Sequence, residues 1–399
     1  MSESLLSPWA CLLAAFLFLY LVQVVWFAGG MRSPCAPPHR PGSAACGPLV
    51  SVVVAARDEA GRIGACLADL LAQDWPPDRY EIIVVDDGST DGTAQVVQCT
   101  GGERVLLLTA AAPGCPGSKK AALATGIRRS RGELILTTDA HCRIPPGWIR
   151  GLVGHFSPQV GLVAGFSASG TRGSARSPLA GYQAVDFLCL MGCILGSVGR
   201  GHPMAASGQS LAYRRAAFEQ VGGYGRVAHR ASGDDVLLLQ LIRRHTPWRV
   251  AFAAEPGVRI VHPPCRSWRS LLGQRARWAS NAPLQAAYDP LFFAFMGVTF
   301  TLSALLVASP VLVLAGALPP AWPAAALAAK VLAEYAFFRR AASRFDRLDL
   351  GRWFPLFAVL QPVHVVAAGV AGCLGIFTWK GERHRWGVQR GRARARAGT

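Results

Sequence analysis

The chain has 399 residues, a formal net charge of +18 and a sequence that is 51% hydrophobic. A soluble enzyme of this length is usually more polar, so we expect part of the chain to lie in lipid. The basic excess suggests an anionic partner, either nucleic acid, anionic lipid or a phosphorylated substrate. The eleven cysteines include no C-x-x-C pair, and such scatter favours a reducing cytosol over a disulfide framework.

The first apolar segment, Leu5–Phe27, has no charged residue and is long enough to span a bilayer. We favour an uncleaved anchor over residues 1–30 rather than a signal peptide, because the preceding residues include Glu3 and no lysine or arginine. Arg32 and Arg40 follow the segment. The positive-inside rule therefore places the next domain in the cytosol.

Residues 48–264 alternate short β-rich runs with helical stretches, which predicts an α/β domain with a mostly parallel sheet. The expected strands are Leu49–Ala55, Glu81–Val85, Arg104–Thr109 and Glu133–Thr138, with helices over Arg62–Leu71 and Ser118–Ser130. Ligands of such sheets bind beyond the carboxyl ends of the strands. The acidic residues that follow the second and fourth strands are therefore candidate site residues.

The second strand ends at Asp86 and Asp87, which begin the run Asp-Asp-Gly-Ser-Thr-Asp-Gly-Thr. A polar turn with a helix N-cap explains this composition as well as a binding site does. In the functional alternative, the two carboxylates hold the base and ribose of a nucleotide.

The fourth strand is followed by Asp139 and, two positions later, His141. Two ligand residues at a strand end could share a divalent cation. A carboxylate and an imidazole together suit Mn²⁺ better than Mg²⁺, because imidazole is the softer ligand. We therefore predict a metal contact at both residues.

Further along the chain, Asp234 and Asp235 precede the apolar run Val236–Leu239, which indicates the start of a helix. Capping by one aspartate is the simpler interpretation. The other carboxylate could then face the site as a general base. The run Val185–Val198 is interpreted as buried or surface-dipping, because a span there would place Asp139 and Asp235 on opposite sides of the membrane.

Residues 265–283 form a basic, tryptophan-containing segment that is predicted to be an amphipathic helix at the membrane surface. It contains Gln274, Arg277 and Trp278. A planar guanidinium could also grip a diphosphate, and an indole could stack on the acceptor. The two interpretations are compatible with each other.

The C-terminal region, 291–379, contains three apolar runs, Leu291–Leu318, Ala321–Phe338 and Trp353–Trp379. The first two are predicted to form a helical hairpin. If the third spans once, the arginine-rich tail at 380–399 lies outside, yet the positive-inside rule places it inside. A re-entrant run and a split run remain open as alternatives. The tail is expected to be disordered, since it offers no apolar stripe for packing.

In this order, the motifs resemble those of the family 2 glycosyltransferases over about Val50 to Trp278. Each motif is weak alone, but the succession of Asp-Asp-Gly, a metal motif, Asp-Asp, Gln-x-x-Arg-Trp and membrane helices is specific. The membrane branch of that family includes cellulose, hyaluronan and poly-N-acetylglucosamine synthases and ceramide and carotenoid glucosyltransferases. The resemblance implies a nucleotide-sugar-binding α/β domain of the GT-A fold, flanked by N- and C-terminal transmembrane helices.

Carried over residue by residue, the resemblance implies the following roles. Donor binding falls to Asp86, Asp87, Lys119, Asp139, Gln274, Arg277 and Trp278; acceptor binding to Gly208, Gln209 and Trp278; the metal, Mn²⁺ or Mg²⁺, to Asp139 and His141; and catalysis to Asp235 with Asp234 beside it. Lys120 is nearly as good a candidate as Lys119, and Arg214 resembles part of the acceptor-side strand. The family's metal motif usually ends in aspartate, so His141 is a departure.

The implied activity is inverting transfer of a sugar from a nucleotide-sugar donor, expected to be UDP-linked, to a lipid or membrane-associated acceptor. A processive polysaccharide synthase is the alternative within the family. A catalytically inactive or nucleic-acid-binding membrane protein is the alternative of another class. We expect no nucleic-acid partner, because the basic charge lies in a terminal tail and not in a folded domain. The expected location is the inner or plasma membrane, multi-pass, with a cytosolic catalytic domain.

Overall fold

The structure, a computed structural model, describes residues 7–32, 47–111, 117–230 and 232–375, together with the backbone of 377–379 and 382–384. The strands are β1 Val50–Ala56, β2 Tyr80–Asp87, β3 Val105–Ala111, β4 Leu134–Asp139, β5 Val160–Gly165, β6 Ser167–Ser169, β7 Leu211–Arg214, β8 Arg249–Ala253, β9 Ile260–His262, β10 Phe377–Trp379 and β11 Glu382–His384. The helices are α1 Pro8–Gly30, α2 Ala60–Leu71, α3 Thr93–Gly101, α4 Lys119–Arg129, α5 Trp148–Val153, α6 Pro178–Gly199, α7 Arg215–Gln220, α8 Val236–His245, α9 Trp268–Ala279, α10 Ala282–Tyr288, α11 Pro290–Leu314, α12 Ala321–Arg344 and α13 Phe354–Cys373.

The domain is built on a seven-stranded sheet with the strand order β3-β2-β1-β4-β7-β5-β8. β1 pairs in parallel with both β2 and β4, and β2 pairs in parallel with β3. β7 runs antiparallel to β4 and β5. The mostly parallel α/β sheet is confirmed, and the carboxyl ends of β1, β2 and β4 open onto the same edge.

The central strands are buried on both faces of the sheet, which explains their nearly continuous apolar sequences. In β1, Val52 and Val54 belong to a cluster that includes Ile63 of α2. Val53, between them, belongs to the opposite cluster with Leu123 of α4. Helices on both faces therefore hold the strand ends, and the loops that follow them, in fixed positions.

Four helical segments are long and apolar enough to cross a membrane by length and composition, among the residues that the structure describes. They are Pro8–Gly30, Pro178–Gly199, Pro290–Leu314 and Leu348–Cys373. The predicted apolar helices at both ends of the chain are thus confirmed. These four segments differ in how they pack against the sheet domain and against each other.

Helices α11 and α12 form the predicted hairpin beside α1. At the end near the sheet, the rings of Phe295 in α11 and Phe27 in α1 have centroids 5.4 Å apart. At the other end, Leu318 in the connecting loop clusters with Leu13 of α1. α12 then returns to the sheet domain, where Phe345 joins the main core cluster. Helices α1, α11 and α12 therefore pack side by side and extend from the same side of the sheet domain.

Helix α6 is enclosed between the sheet domain and the other apolar helices. A Cβ on Gly196 would lie 2.4 Å from the carbonyl oxygen of Phe27 in α1, so the two helices cross in close contact. On its other side, the ring of Phe187 packs on His262 of β9. The strand before it, β6, pairs in parallel with β9, and the strand after it, β7, belongs to the seven-stranded sheet. Both ends of α6 therefore lead into strands of the catalytic domain, and burial accounts for its apolar sequence.

Helix α13 begins and ends against the sheet domain. The indole N–H of Trp353, at its start, donates to the carbonyl of Ala175 at 3.1 Å. Near its end, a Cβ on Gly372 would lie 2.7 Å from the carbonyl oxygen of Ala276 in α9. This arrangement favours the re-entrant alternative for the last apolar run.

The helix predicted within residues 265–283 is α9, after which the chain turns at Ser280 and Asn281 and continues as α10. One boundary differs from those predicted. The tail expected to be unstructured from 380 contains β11 at Glu382–His384, which pairs antiparallel with β10. Backbone pairing between β10 and β11 orders this segment, although the side-chain pattern predicted no regular structure there. The other residues of the predicted tail, 380–381 and 385–399, lie outside the described residues.

A buried ion pair joins α12 to α1 and α13. Lys330 Nζ lies 2.7 Å from Glu334 Oε1 and donates to Gln361 Oε1 of α13 at 2.9 Å. The hydroxyl of Tyr20 in α1 donates to the same Glu334 oxygen. The side chain of Lys330 has no exposed surface, so its charge depends on these partners in a region of low dielectric.

We predict that Glu334→Ala destabilises the protein strongly, because it leaves the Lys330 ammonium buried without its counter-ion, at a cost of about 3–5 kcal/mol. The double variant Lys330→Met/Glu334→Leu removes both charges and should lose less. Thermal unfolding of the full chain in detergent measures the difference. Asp74→Ala, which breaks the exposed pair with Arg150, is the control, with an expected cost of about 0–1 kcal/mol. A Glu334→Ala protein as stable as this control would contradict the prediction.

Candidate active site

The carboxyl ends of β1, β2 and β4 meet at a cavity of about 530 Å³. Its walls include Asp87 at the end of β2, Asp139 at the end of β4, and Asp234 and Asp235 just before α8. The three acidic motifs are far apart in sequence. The sheet order brings the first two together, and the start of α8 faces them across the cavity.

The two aspartates at the end of β2 have different partners. Asp86 Oδ1 accepts hydrogen bonds from the backbone N–H and the hydroxyl of Ser89, so Asp86 stabilises the turn. Asp87 lines the cavity, and its Oδ1 accepts from the N–H of Gly117 at 2.9 Å. The turn interpretation therefore applies to Asp86. The binding interpretation applies to Asp87, which is the candidate for nucleotide contact.

The loop after β1 contributes residues that the sequence analysis did not name. Arg57 and Glu59 line the cavity. Between them, Asp58 adopts a positive φ of 52° and its Oδ1 accepts from the N–H of Thr90 at 2.9 Å. This bond ties the loop to the acidic turn after β2. The signal was available, because the strand-end rule that indicated Asp87 applies to β1 as well.

Lys119 connects two of the acidic motifs. Its Nζ lies 2.8 Å from Asp139 Oδ1 and 2.7 Å from Asp234 Oδ2. Burial lowers the pKa of Lys119, but the two carboxylates outweigh burial and hold that pKa above its usual value. The ammonium therefore stays charged at neutral pH and offsets the repulsion between the carboxylates.

Lys120, the rival candidate for this place, points elsewhere. Its Nζ donates to two backbone carbonyls in the segment before α8, those of Arg230 and Ser232, at 2.6 and 3.0 Å. Burial lowers the pKa of Lys120 to about 8. Successive helix positions face different directions, and the rotation of α4 selects Lys119 for the cavity.

The predicted metal pair, Asp139 and His141, lies at the end of β4 with Cys142, and their ligand atoms are within 4.8 Å of one another. Burial raises the pKa of Asp139, but Lys119 and then His141 lower it, to about 2. Burial raises the pKa of Cys142 well above its usual value, so its thiol stays protonated and is a poor ligand. An ionised carboxylate and an imidazole therefore remain, and this pair fits a divalent cation of intermediate softness.

Asp235 caps α8 and lines the cavity at the same time. Its Oδ1 accepts from the N–H of Val236 at 2.7 Å, and its Oδ2 from the N–H of Gly208 at 2.8 Å. Burial and then the charge of Asp234 raise the pKa of Asp235. A Cβ on Gly208 would lie 3.2 Å from Asp235 Oδ2, so glycine keeps this corner open. A carboxylate with a raised pKa beside an open corner suits a general base.

The Gln-x-x-Arg-Trp motif lies on α9 along the cavity wall, which Gln274, Arg277 and Trp278 all line. Arg277 donates to Ser232 Oγ at 3.1 Å, and this bond ties α9 to the segment that carries the Asp234 pair. Arg275 instead stacks over the Trp278 ring, 4.2 Å from its centroid. The motif therefore holds a guanidinium and an indole at the cavity.

The acceptor-side candidates are only partly brought together. Gly208 and Gln209 line the cavity beside Asp235. Arg214 lies at the far end of β7, where its Nε donates to the carbonyl of Val160 at 3.0 Å. The contribution of this segment to the site is therefore limited to the loop before β7.

Residues 51–221 match the family described as glycosyl transferase family 2. The match covers the strand ends that carry Asp87 and Asp139, the lysine on α4, and the loop with Gly208. It ends before Asp234 and the motif on α9.

Two curated relatives extend the comparison. Over 260 residues the chain is 28% identical to the beta-monoglucosyldiacylglycerol synthase of Synechocystis sp., which covers 62% of this chain and 50% of the relative. Over 106 residues it is 31% identical to the undecaprenyl-phosphate 4-deoxy-4-formamido-L-arabinose transferase of Aeromonas hydrophila, which covers 26% of this chain and 32% of the relative. The chain thus spans about half the length of the first relative and less of the second.

Among solved structures, the chain is similar to the mannosyltransferase PcManGT from Pyrobaculum calidifontis in complex with GDP-Man and Mn²⁺. The TM-score is 0.59 at 23% identity, and the alignment covers 91% of this chain and 97% of that chain. Similarity at this identity establishes the fold, which is the GT-A fold.

We predict that Lys119→Met tightens the binding of Mn²⁺ in the absence of a nucleotide. The Lys119 ammonium competes for Asp139 Oδ1, and its removal should strengthen cation binding on the order of tenfold, equivalent to about 1.4 kcal/mol. Calorimetric titration of the full chain measures this affinity. Lys119→Arg keeps the charge and is the matched control, with little change expected. Weaker Mn²⁺ binding in Lys119→Met would show that the ammonium does not compete for the carboxylate.

Proposed function

We propose that this chain, which carries a glycosyltransferase family 2 domain of the GT-A fold, transfers a sugar from a nucleotide-sugar donor to a membrane lipid, with inversion. The observation that carries the proposal is the convergence of Asp87, Lys119, Asp139, Asp235 and Arg277 on one cavity. The names of the two relatives, which refer to a diacylglycerol and to undecaprenyl phosphate, support a lipid acceptor.

The donor is assigned to the edge of the sheet. Asp87 would hold the nucleotide, which we expect to be UDP. The diphosphate would then lie towards Asp139, within reach of the positive charges of Lys119 and Arg277. Positive groups aimed at a leaving group stabilise the charge that develops there, and burial of the site strengthens their effect.

Transfer then takes place at the corner formed by Asp235 and Gly208. The acceptor oxygen attacks the anomeric carbon, the bond from that carbon to the diphosphate breaks, and the bonding electron pair leaves with the diphosphate. Asp235 takes the proton of the acceptor hydroxyl. Attack opposite to the leaving group inverts the anomeric carbon, so an α-linked donor gives a β-linked product.

Asp139 and His141 are assigned to a divalent cation, with Mn²⁺ preferred to Mg²⁺ because of the imidazole. Such an ion, when bound, would neutralise negative charge on the diphosphate. Glu59 Oε1 lies 3.7 Å from His141 Nδ1, so its negative charge is close to the imidazole.

The chain is assigned to the inner or plasma membrane, with α1 and α11 as spans and the catalytic domain in the cytosol. Helix α12 is not apolar enough to count as a span alone, but it packs beside α1 with Lys330 and Glu334 paired, and we assign it as the returning span of the hairpin. Arg32 follows α1, and Arg339, Arg340 and Arg344 lie at the end of α12 that returns to the domain. A re-entrant α13 would place Arg383 of β11 on the same side as the catalytic domain, in agreement with the positive-inside rule.

A processive polysaccharide synthase is the second candidate, and the Gln-x-x-Arg-Trp motif favours it. Export of a polymer requires a walled channel. Among the described residues, α6 and α13 return to the catalytic domain, and three helices are left to form a wall. This count favours a single transfer to a lipid.

We predict that Asp235→Asn lowers transfer by about 10²-fold or more, the scale for a missing general base. Asparagine is also a good N-cap, so α8 should persist, and donor binding should survive because Asp235 contacts Gly208 and Val236. Turnover and donor affinity of the purified chain measure both effects. Asp74→Asn, on the exposed surface, should behave as wild type. Full turnover in Asp235→Asn would exclude Asp235 as the base.

We predict that chelation of divalent cations abolishes transfer and that Mn²⁺ restores it at least as well as Mg²⁺. In His141→Asp the softer ligand is replaced by a carboxylate, so activity should persist and the preference should move towards Mg²⁺. Rates at matched concentrations of the two ions measure the preference. Activity that survives exhaustive chelation would remove the metal assignment.

A further inference from the structure

The catalytic cavity has an apolar limb that the reaction described above does not use. Its walls come from α6 and from α1 and α11, two helices that are long and apolar enough to cross a membrane. The residues that define the apolar limb are Phe27, Leu190, Met191, Ile194, Phe292 and Met296. The limb and the carboxylates line the same cavity, so a molecule bound in the limb could reach Asp235.

The apolar limb is enclosed at its inner end and open at its outer end. Met191 and Ile194 are buried, whereas the side chain of Leu190 is 37% exposed. Phe293, beside the limb on α11, is also exposed. Because α1 and α11 are long and apolar enough to cross a membrane, exposed apolar side chains beside them face hydrocarbon and not water. The limb therefore opens towards the bilayer.

The walls of the limb determine what can bind there. A growing sugar chain would lose its hydrogen bonds to water in such surroundings without regaining them from aliphatic and phenylalanine side chains. A hydrocarbon chain has no hydrogen bonds to water to lose, and its transfer from water to apolar surroundings is favourable. The limb therefore suits the chain of a lipid and not a polysaccharide.

The reactive corner limits the charge of the lipid head. Asp234 and Asp235 lie side by side there, and the positive groups near them, the Lys119 ammonium and the Arg277 guanidinium, are those assigned above to the diphosphate of the donor. With the donor bound, a second phosphate at this corner would meet two carboxylates and the diphosphate in a buried site, where repulsion between like charges is strong. A phosphate oxygen is also ionised at neutral pH and needs no base, whereas a neutral hydroxyl requires one.

We propose that the apolar limb holds the hydrocarbon chain of an uncharged lipid alcohol, which enters from the bilayer between α6 and α11 and presents its hydroxyl to Asp235. This inference rests on the proposed function and narrows its acceptor from lipids in general to neutral lipid alcohols. It also assigns Leu190 and Met296 as residues that contact the acceptor chain.

Photolabelling tests the location without any need for turnover. The full chain is placed in dioleoylphosphatidylcholine vesicles with a dioleoylglycerol whose acyl chain carries a diazirine. Labelling should fall on peptides that contain Leu190 or Met296 and should be displaced by unlabelled dioleoylglycerol. Met296→Trp fills the limb and should lose this labelling. Leu291→Trp, on the same helix but outside the cavity lining, should keep it. Equal labelling in all three proteins, or labelling confined to other surfaces, would overturn the location.

Acceptor kinetics test the neutral head. Met296→Trp should raise the KM for dioleoylglycerol on the order of tenfold, equivalent to about 1.4 kcal/mol, whereas Leu291→Trp should leave that KM unchanged. Wild-type protein should glycosylate dioleoylglycerol and leave undecaprenyl phosphate unmodified. Transfer to undecaprenyl phosphate at an equal or higher rate would overturn the neutral-alcohol assignment. If wild-type protein did not hydrolyse the donor, the proposed function would be contradicted. The labelling result would still support the location of the lipid chain.

Discussion

The site depends on one interaction, the Lys119 ammonium held between Asp139 and Asp234. Asp139 belongs to the end of a parallel strand, and Asp234 belongs to the start of a helix on the other side of the cavity. Two carboxylates facing each other in a buried cavity would repel, and the ammonium offsets that repulsion. The same ammonium holds the pKa of Asp139 low, so that carboxylate is ready for a cation. In contrast to Asp139, Asp235 has a raised pKa, because of burial and then the charge of Asp234.

The second constraint is the way in which the sheet domain meets the apolar helices. Helices α1, α11 and α12 extend away from the domain, and the chain returns to the domain at the end of α12. Helices α6 and α13 both begin and end against the domain. α6 is therefore a shared wall: one side packs on the sheet domain, and the other crosses α1 at Gly196. This arrangement places the carboxylates of the cavity beside α1 and α11, two helices that are long and apolar enough to cross a membrane. The proposed transfer from a water-soluble donor to a lipid requires such proximity.

The sequence predicted the sheet and most of the site because strand ends and their acidic residues are local patterns. Four strands were predicted to within two residues, and Asp87, Asp139, Asp235, Arg277 and Trp278 all line the cavity. What the sequence left open depends on tertiary placement. The insertion of β7 between β4 and β5, the choice of Lys119 over Lys120, and the turn role of Asp86 follow from how elements rotate and pack. The partnership of Tyr20 with Glu334 joins residues 314 positions apart, which no window along the chain could reveal.

In the proposed reaction, a nucleotide sugar is consumed in this cavity to glycosylate a membrane lipid with inversion. This reaction can be tested by incubating a radiolabelled α-linked nucleotide sugar with the purified full chain in lipid vesicles and identifying the labelled product. We expect the label to extract into organic solvent as a lipid carrying a single β-linked sugar. A water-soluble labelled polymer would contradict the single transfer, and an α-linked glycolipid would contradict the in-line displacement assisted by Asp235.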